Sequence, residues 1–94
     1  MIKPSGIKAL VGGKAAPIST AGLEAAVKEH QAQAAKAADQ DVKKAFIQDA
    51  NDLRQVIAAI KSGDLKRANK IAYNVEGAVR KAIGAAAWAR LGAA

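Results

Sequence analysis

The sequence predicts an all-α protein: a small helical bundle of three main helices and a short C-terminal helix, preceded by an extended basic arm. About a quarter of the 94 residues are alanine, the strongest helix former. Apolar residues recur at the three- and four-residue spacing of helix faces, and signals typical of β-strands are nearly absent. A chain of this length is expected to fold as one domain.

The predicted arm covers residues 1–18 and the predicted bundle covers residues 19–94. Pro4 and Pro17 disfavour helix in the arm, and three glycines loosen it further. The arm is too apolar for a simple disordered tail, so we expect it to lie across the bundle or across a second copy. It contains no acidic residue, and its net charge of +3 comes from Lys3, Lys8 and Lys14.

The first helix is predicted to begin after Ser19, with Ile18 and Leu23 packing together as a hydrophobic staple across its start. No glycine or proline occurs from Leu23 to Ser62, so this stretch forms either one long helix or two. We favour two helices divided near Asp39, because aspartate is a good N-cap and the apolar spacing shifts there.

The pair Gly63 and Asp64 marks the clearest helix boundary in the chain. Glycine is favoured just beyond a helix C-terminus, and aspartate is favoured at the N-cap of the next helix. The second and third helices are therefore predicted to form a hairpin. The third helical pattern runs on to Gly84, which is expected to end it and to leave a short fourth helix over residues 85–91.

Positive charge is the strongest signal in the composition. The net charge is +7 and the isoelectric point is about 10.0. Residues 61–94 carry seven basic and two acidic side chains, whereas residues 19–60 have a net charge of −1. Two basic ends predict an acidic partner that contacts the arm and the last helical segment. The alternative is that the charge serves only solubility.

The third helix is the best candidate for binding such a partner. One face is apolar, and the other is basic and carries the only tyrosine in the chain. Lysine and arginine neutralise phosphates, tyrosine can stack on a base, and asparagine can donate to a phosphate or a base edge. The alternative is an ordinary solvated face. The predicted nucleic-acid or polyanion-binding residues are Lys3, Lys8, Lys14, Lys66, Arg67, Lys70, Tyr73, Asn74, Arg80 and Lys81.

A second set of residues is predicted to pack against a partner. Phe46, Leu53, Ile57 and Ile60 repeat at helical spacing on the second helix, and Trp88 is a lone large apolar residue in an alanine-rich tail. Alanine buries little area, so the core of a single copy would be thin. We therefore expect self-association or docking in a larger assembly.

Few residues could support catalysis. Cysteine is absent, which excludes disulfides and thiol chemistry. His30 is the only histidine, and it lies on an apolar helix face without an obvious nucleophile or orienting partner. Asp49 and Asp52 share a helix face that is typical of solvated carboxylates. We expect no catalytic residue, no metal ion and no cofactor.

Residues 53–77 resemble the core of histidine phosphotransfer domains, which are four-helix bundles with a phospho-accepting histidine in an A-H-x-L-K-G context. Ala72 and Gly77 match this motif, whereas Tyr73 stands at the histidine position and Glu76 at the lysine position. Phosphotransfer needs the imidazole, so the resemblance implies a helical bundle and not the activity of that family.

Together these features predict a non-enzymatic structural or binding protein that contacts nucleic acid or another polyanion within a larger assembly. The alternative is a protein-interaction regulator that docks through its apolar helix face and makes no nucleic-acid contact. No segment has the length and apolarity of a membrane span, and the N-terminus does not fit a signal peptide. We expect cytoplasmic location, or assembly into a particle after cytoplasmic synthesis.

Overall fold

The computed structural model describes residues 18–93, which contain helices and no strand. A three-residue 3-10 turn, Tyr73–Val75, separates the last two helices. The predicted all-α bundle is confirmed, with its third helical unit built from pieces, while residues 1–17 of the predicted arm lie outside the described residues. The helices in chain order are α1 Ala21–Lys36, α2 Gln40–Lys61, α3 Leu65–Ala72 and α4 Glu76–Gly92.

The hairpin of α1 and α2 supplies most of the hydrophobic core. Their apolar sides face each other, and Leu23, Leu53 and Val56 are fully buried between them. α3 packs against α2, and α4 packs against both α1 and α3. Side chains from all four helices, including Val79 and Leu91 of α4, therefore meet in one hydrophobic cluster.

The start of α1 is held by apolar contacts and by a polar contact with α2. Ile18 and Leu23 are both buried, but the N-cap is Thr20 and not Ser19, so they lie one position away from the N′ and N4 positions of the predicted staple. Glu24 accepts a hydrogen bond from the Thr20 hydroxyl at 2.9 Å, and its Oε2 lies 3.4 Å from the Lys61 ammonium. The hydroxyl first, and Lys61 second, hold the pKa of Glu24 below its ordinary value. This ion pair places the start of α1 beside the end of α2.

The predicted division of residues 20–60 into two helices is confirmed. Asp39 has extended backbone angles and forms the N-cap of α2. Its Oδ1 accepts hydrogen bonds from the backbone N–H groups of Asp41 at 2.7 Å and Val42 at 3.2 Å. The side chain thus satisfies two of the amide groups that the start of a helix leaves without intrahelical partners.

Replacing Asp39 with alanine is expected to lower the free energy of unfolding by about 1 kcal/mol, because both amide groups lose their acceptor. Asp39→Asn keeps a side-chain oxygen in place and is expected to change stability by only a few tenths of a kcal/mol. Urea unfolding followed by circular dichroism measures both variants. Equal losses in the two would contradict the cap and would point instead to the charge of Asp39.

The turn between α2 and α3 also forms as predicted. Gly63 has a φ of 82°, which glycine adopts without steric cost. The N–H of Gly63 donates to the Ile60 carbonyl at 3.0 Å, and that of Asp64 donates to the Ala59 carbonyl at 2.9 Å, which is the pattern of a Schellman motif. Asp64 then caps α3 by accepting a hydrogen bond from the backbone N–H of Arg67 at 3.1 Å.

The third helix differs from its prediction, because the 3-10 turn interrupts it at Tyr73–Val75. Tyrosine, asparagine and valine are weak helix formers and Gly77 follows them, so breaking the helix here sacrifices little helical propensity. Val75 is buried at 6% exposure, on the same apolar stripe as Ala72 before it and Val79 after it. The buried and exposed faces that the spacing predicts for one continuous helix nevertheless continue across the turn into the start of α4.

Two glycines shape the path of α4. Gly84 interrupts the helix with a φ of 88° and a ψ of 164°, a conformation that is essentially restricted to glycine. The chain resumes helix beyond it, as the predicted short C-terminal helix, and Leu91 in that segment is fully buried. On the facing side of α1, a Cβ at Gly22 would overlap the backbone carbonyl of Ala82. Gly22 therefore permits a close helix approach.

Candidate polyanion-binding face

The exposed side of α3 carries Lys66, Arg67 and Lys70, which we call the basic face. Ala68 and Ala72 on the opposite side of the same helix are fully buried. This division follows from the sequence spacing, because residues three and four apart share one side of a helix. The basic side chains are thus held on a helix whose other side is anchored in the core.

Acidic side chains do not neutralise the basic face. α3 contains no aspartate or glutamate, and no salt bridge within residues 18–93 involves Lys66, Arg67 or Lys70. Like charges on neighbouring turns repel each other by a few tenths of a kcal/mol per pair. A bound phosphate relieves that repulsion, so the surface is suited to an anionic ligand.

The 3-10 turn adds two exposed side chains, Tyr73 and Asn74, next to the basic face. Tyr73 is 60% exposed, the largest exposure of any large hydrophobic residue in the described part of the chain. Its backbone angles, a φ of −62° and a ψ of −25°, continue those of α3. Its side chain therefore leaves the backbone about one turn beyond Lys70 and two turns beyond Lys66.

Arg80 and Trp88 of α4 complete a cluster with Tyr73, which we call the aromatic cluster. The ring centroids of Tyr73 and Trp88 lie 5.8 Å apart at an interplanar angle of 77°. The guanidinium carbon of Arg80 lies 5.8 Å from the Trp88 ring centroid. Its Nη1 donates to Glu76 at 3.2 Å. Trp88, which the sequence predicts as a partner-packing residue, therefore lies beside predicted binding residues.

Lys81 lies on a different side of α4. It borders a groove of about 740 Å³ between α1 and α4, together with Gly77, Glu29 and His30. The predicted stripe of Lys66, Lys70, Tyr73, Gly77 and Arg80 is exposed along its length, while Lys81, predicted beside it, turns to the groove. Arg80 joins the aromatic cluster, while Lys81 faces the groove.

The remaining predicted binding residues, Lys3, Lys8 and Lys14, lie outside the described residues. Ile18, at the end of the predicted arm, is buried in the core at the start of α1. The structure thus describes where the arm joins the bundle, and the binding role of its lysines stays a prediction.

The residues predicted to pack against a partner are used mainly inside the chain. Leu53 is 0% exposed and Ile60 is 8% exposed. Ile57 is half-buried against the same core. Phe46 is half-buried too, and its ring packs edge to face on His30 with centroids 5.7 Å apart. In the folded chain, this face of α2 leaves little area for another protein.

His30 is held by structural contacts. Its Nδ1 lies 2.9 Å from the Ala26 carbonyl oxygen, and its Nε2 lies 4.0 Å from a carboxylate oxygen of Asp49. Asp52 is 8% exposed and accepts a hydrogen bond from Gln48 at 3.2 Å. In the described ranges, no hydrogen bond joins this histidine to a hydroxyl group that could act as a nucleophile. Nor does the described part group three or more potential ligands around a metal position.

No protein-family model, curated protein or solved structure matches this chain. Between residues 18 and 93, no helix combines the length and apolarity that crossing a bilayer requires.

Proposed function

We propose that this protein is a non-enzymatic binding protein that contacts nucleic acid or another polyanion through the basic face, with the lysines of the N-terminal arm adding to the contact. The observation that carries the proposal is the basic face itself. Three exposed cations occupy one side of α3, and no salt bridge within the described residues involves them.

Binding of this kind is electrostatic and largely independent of sequence. Each phosphate that a lysine or arginine neutralises releases condensed counterions, which gives a slope of about −0.9 per contact when log affinity for duplex DNA is plotted against log salt. The net charge of +7 also attracts polyanions at long range when salt is low. Affinity is therefore expected to fall steeply as salt rises.

Docking in a larger assembly, or self-association, belongs to the same proposal. Val42 and Ile47 on α2 are 45% and 47% exposed, so both side chains are available to a second copy or another component. Cytoplasmic location, with or without later assembly into a particle, is part of this proposal as well.

The charge-reversal variant Lys66→Glu/Lys70→Glu tests the binding role of the basic face. Two lost phosphate contacts are expected to reduce the magnitude of the salt slope by about 2. Affinity at about 50 mM salt should fall more than about tenfold, because each reversed charge now repels the ligand. Fluorescence anisotropy of labelled oligonucleotides, titrated at several salt concentrations, measures both quantities.

The matched control is Lys28→Glu/Lys44→Glu, which changes the net charge by the same amount at exposed positions on α1 and α2. If both double variants lose affinity equally, the basic face has no special role and only net charge matters. If the wild-type protein fails to bind at low salt, the proposal is wrong. The alternative of a protein-interaction regulator predicts that outcome, with protein binding unaffected by either pair of substitutions.

A further inference from the structure

We propose that the aromatic cluster is a stacking site for an unpaired nucleobase, so that the polyanion bound by this protein is single-stranded nucleic acid. This inference rests on the proposed function and specifies its ligand. It depends on the position of Tyr73 between the basic face on α3 and Trp88 on α4.

The exposed ring of Tyr73 is the first element of the site. A residue that is 60% exposed gains little from burial in the chain's own core, yet the ring of Tyr73 contacts that of Trp88 edge to face. At an interplanar angle of 77°, the two rings meet edge to face and do not stack on each other. Ring surface therefore stays available to a third planar group, and every nucleobase offers such a face.

The arginine of the cluster fixes the indole and contributes less to phosphate binding. Arg80 lies over the Trp88 ring, where the cation is attracted to the ring face. Glu76 pairs with the same guanidinium at 3.2 Å and offsets its charge. We therefore assign Arg80 to positioning Trp88, and we assign the phosphate contacts to the lysines of the basic face.

Those lysines lie at the right places for a nucleic-acid backbone that passes the aromatic cluster. Lys70 and Lys66 precede Tyr73 by three and seven residues, which corresponds to about 4.5 and 10.5 Å along the axis of α3. A base stacked on Tyr73 would thus have its neighbouring phosphates above the basic face. In a duplex, bases are paired and stacked on each other, so only the phosphate contacts of this surface could form.

The test compares an oligothymidylate with a hairpin duplex, using anisotropy of the labelled nucleic acids and fluorescence of the protein. Trp88 is the only tryptophan, so quenching of its emission reports on the cluster alone. We expect tighter binding of the single strand, with quenching by the single strand and little by the duplex. Tyr73→Ala should weaken single-strand binding about 5- to 150-fold, the range that loss of one stacked base corresponds to, and should weaken duplex binding far less, because a duplex offers no unpaired base to stack.

Tyr73→Phe is the matched variant, because it keeps the ring and is expected to bind the single strand like the wild type. The exposed position of Tyr73 makes both variants compatible with folding, which circular dichroism verifies. Equal affinity of the wild type for both probes, or unchanged single-strand affinity in Tyr73→Ala, would overturn the stacking site while leaving the proposed function standing. If the wild-type protein binds neither the single strand nor the duplex, both the stacking site and the proposed function are wrong.

Discussion

Gly22→Ala is expected to lower the free energy of unfolding by about 1–3 kcal/mol, as overpacking does in a close-packed contact. At an ordinary helical position, the same substitution would raise stability by up to about 1 kcal/mol, because alanine is the better helix former. Here the added methyl group would overlap the backbone carbonyl of Ala82, which cannot move without shifting α4. The free-energy cost of this overlap should therefore exceed the stability gained because alanine is the better helix former.

The control for this prediction is Gly77→Ala on α4, which borders the same groove as Gly22 but has open space around its Cβ position. It is expected to be neutral or stabilising by up to about 1 kcal/mol. Urea unfolding followed by circular dichroism compares the two. A Gly22→Ala protein as stable as Gly77→Ala would show that α1 and α4 are not in close contact.

Gly84→Ala is expected to cost about 1–3 kcal/mol for a different reason. The site has open space, so the cost comes from the backbone, whose φ of 88° an alanine adopts only under strain. The chain can escape that strain by straightening α4. It would then withdraw Leu91 from the core, which costs about 1.5–3 kcal/mol of burial. Both routes lower stability by similar amounts.

The emission of Trp88 distinguishes the two routes during urea unfolding of the Gly84→Ala protein. A strained but unchanged native state keeps the wild-type emission, whereas a straightened helix moves Trp88 away from Tyr73 and shifts its emission towards that of exposed tryptophan. Gly92→Ala near the end of α4 is the control and is expected to be nearly neutral, since its Cβ would meet no atom within 4 Å. If Gly84→Ala is as stable as the wild type, residue 84 does not have the positive φ described above.

Helix boundaries were predictable because the interactions that set them are local. Asp39 and Asp64 accept hydrogen bonds from amide groups two or three residues ahead, and Gly63 needs only its own backbone freedom. Such interactions can be recognised in the sequence from the types of a few adjacent residues. The exposed side of α3 was predictable for the same reason, since its spacing stays within one regular helix. The start of α1 was predicted one residue early, within the usual spread of helix ends.

The place of Trp88 in the aromatic cluster could not be predicted, because the non-helical Gly84 separates it from Tyr73 and Arg80. The helical spacing does place Tyr73 and Arg80 on one exposed face across the turn at Tyr73–Val75. Gly84 then redirects the chain before Trp88. The sequence assigns Trp88 to the partner-packing set from its size and apolarity alone, so Trp88 and Tyr73 fall into different predicted sets.

The ion pair between Glu24 and Lys61 has a consequence for how the two basic segments of the chain would act together. It places the start of α1 at the end of the bundle where α2 finishes and α3 begins. Residues 1–17 are therefore joined to the bundle at the same end as Lys66. If the basic face binds a polyanion as proposed, contact of the same polyanion with the lysines of residues 1–17 becomes an intramolecular step, whose strength does not depend on the amount of protein in solution.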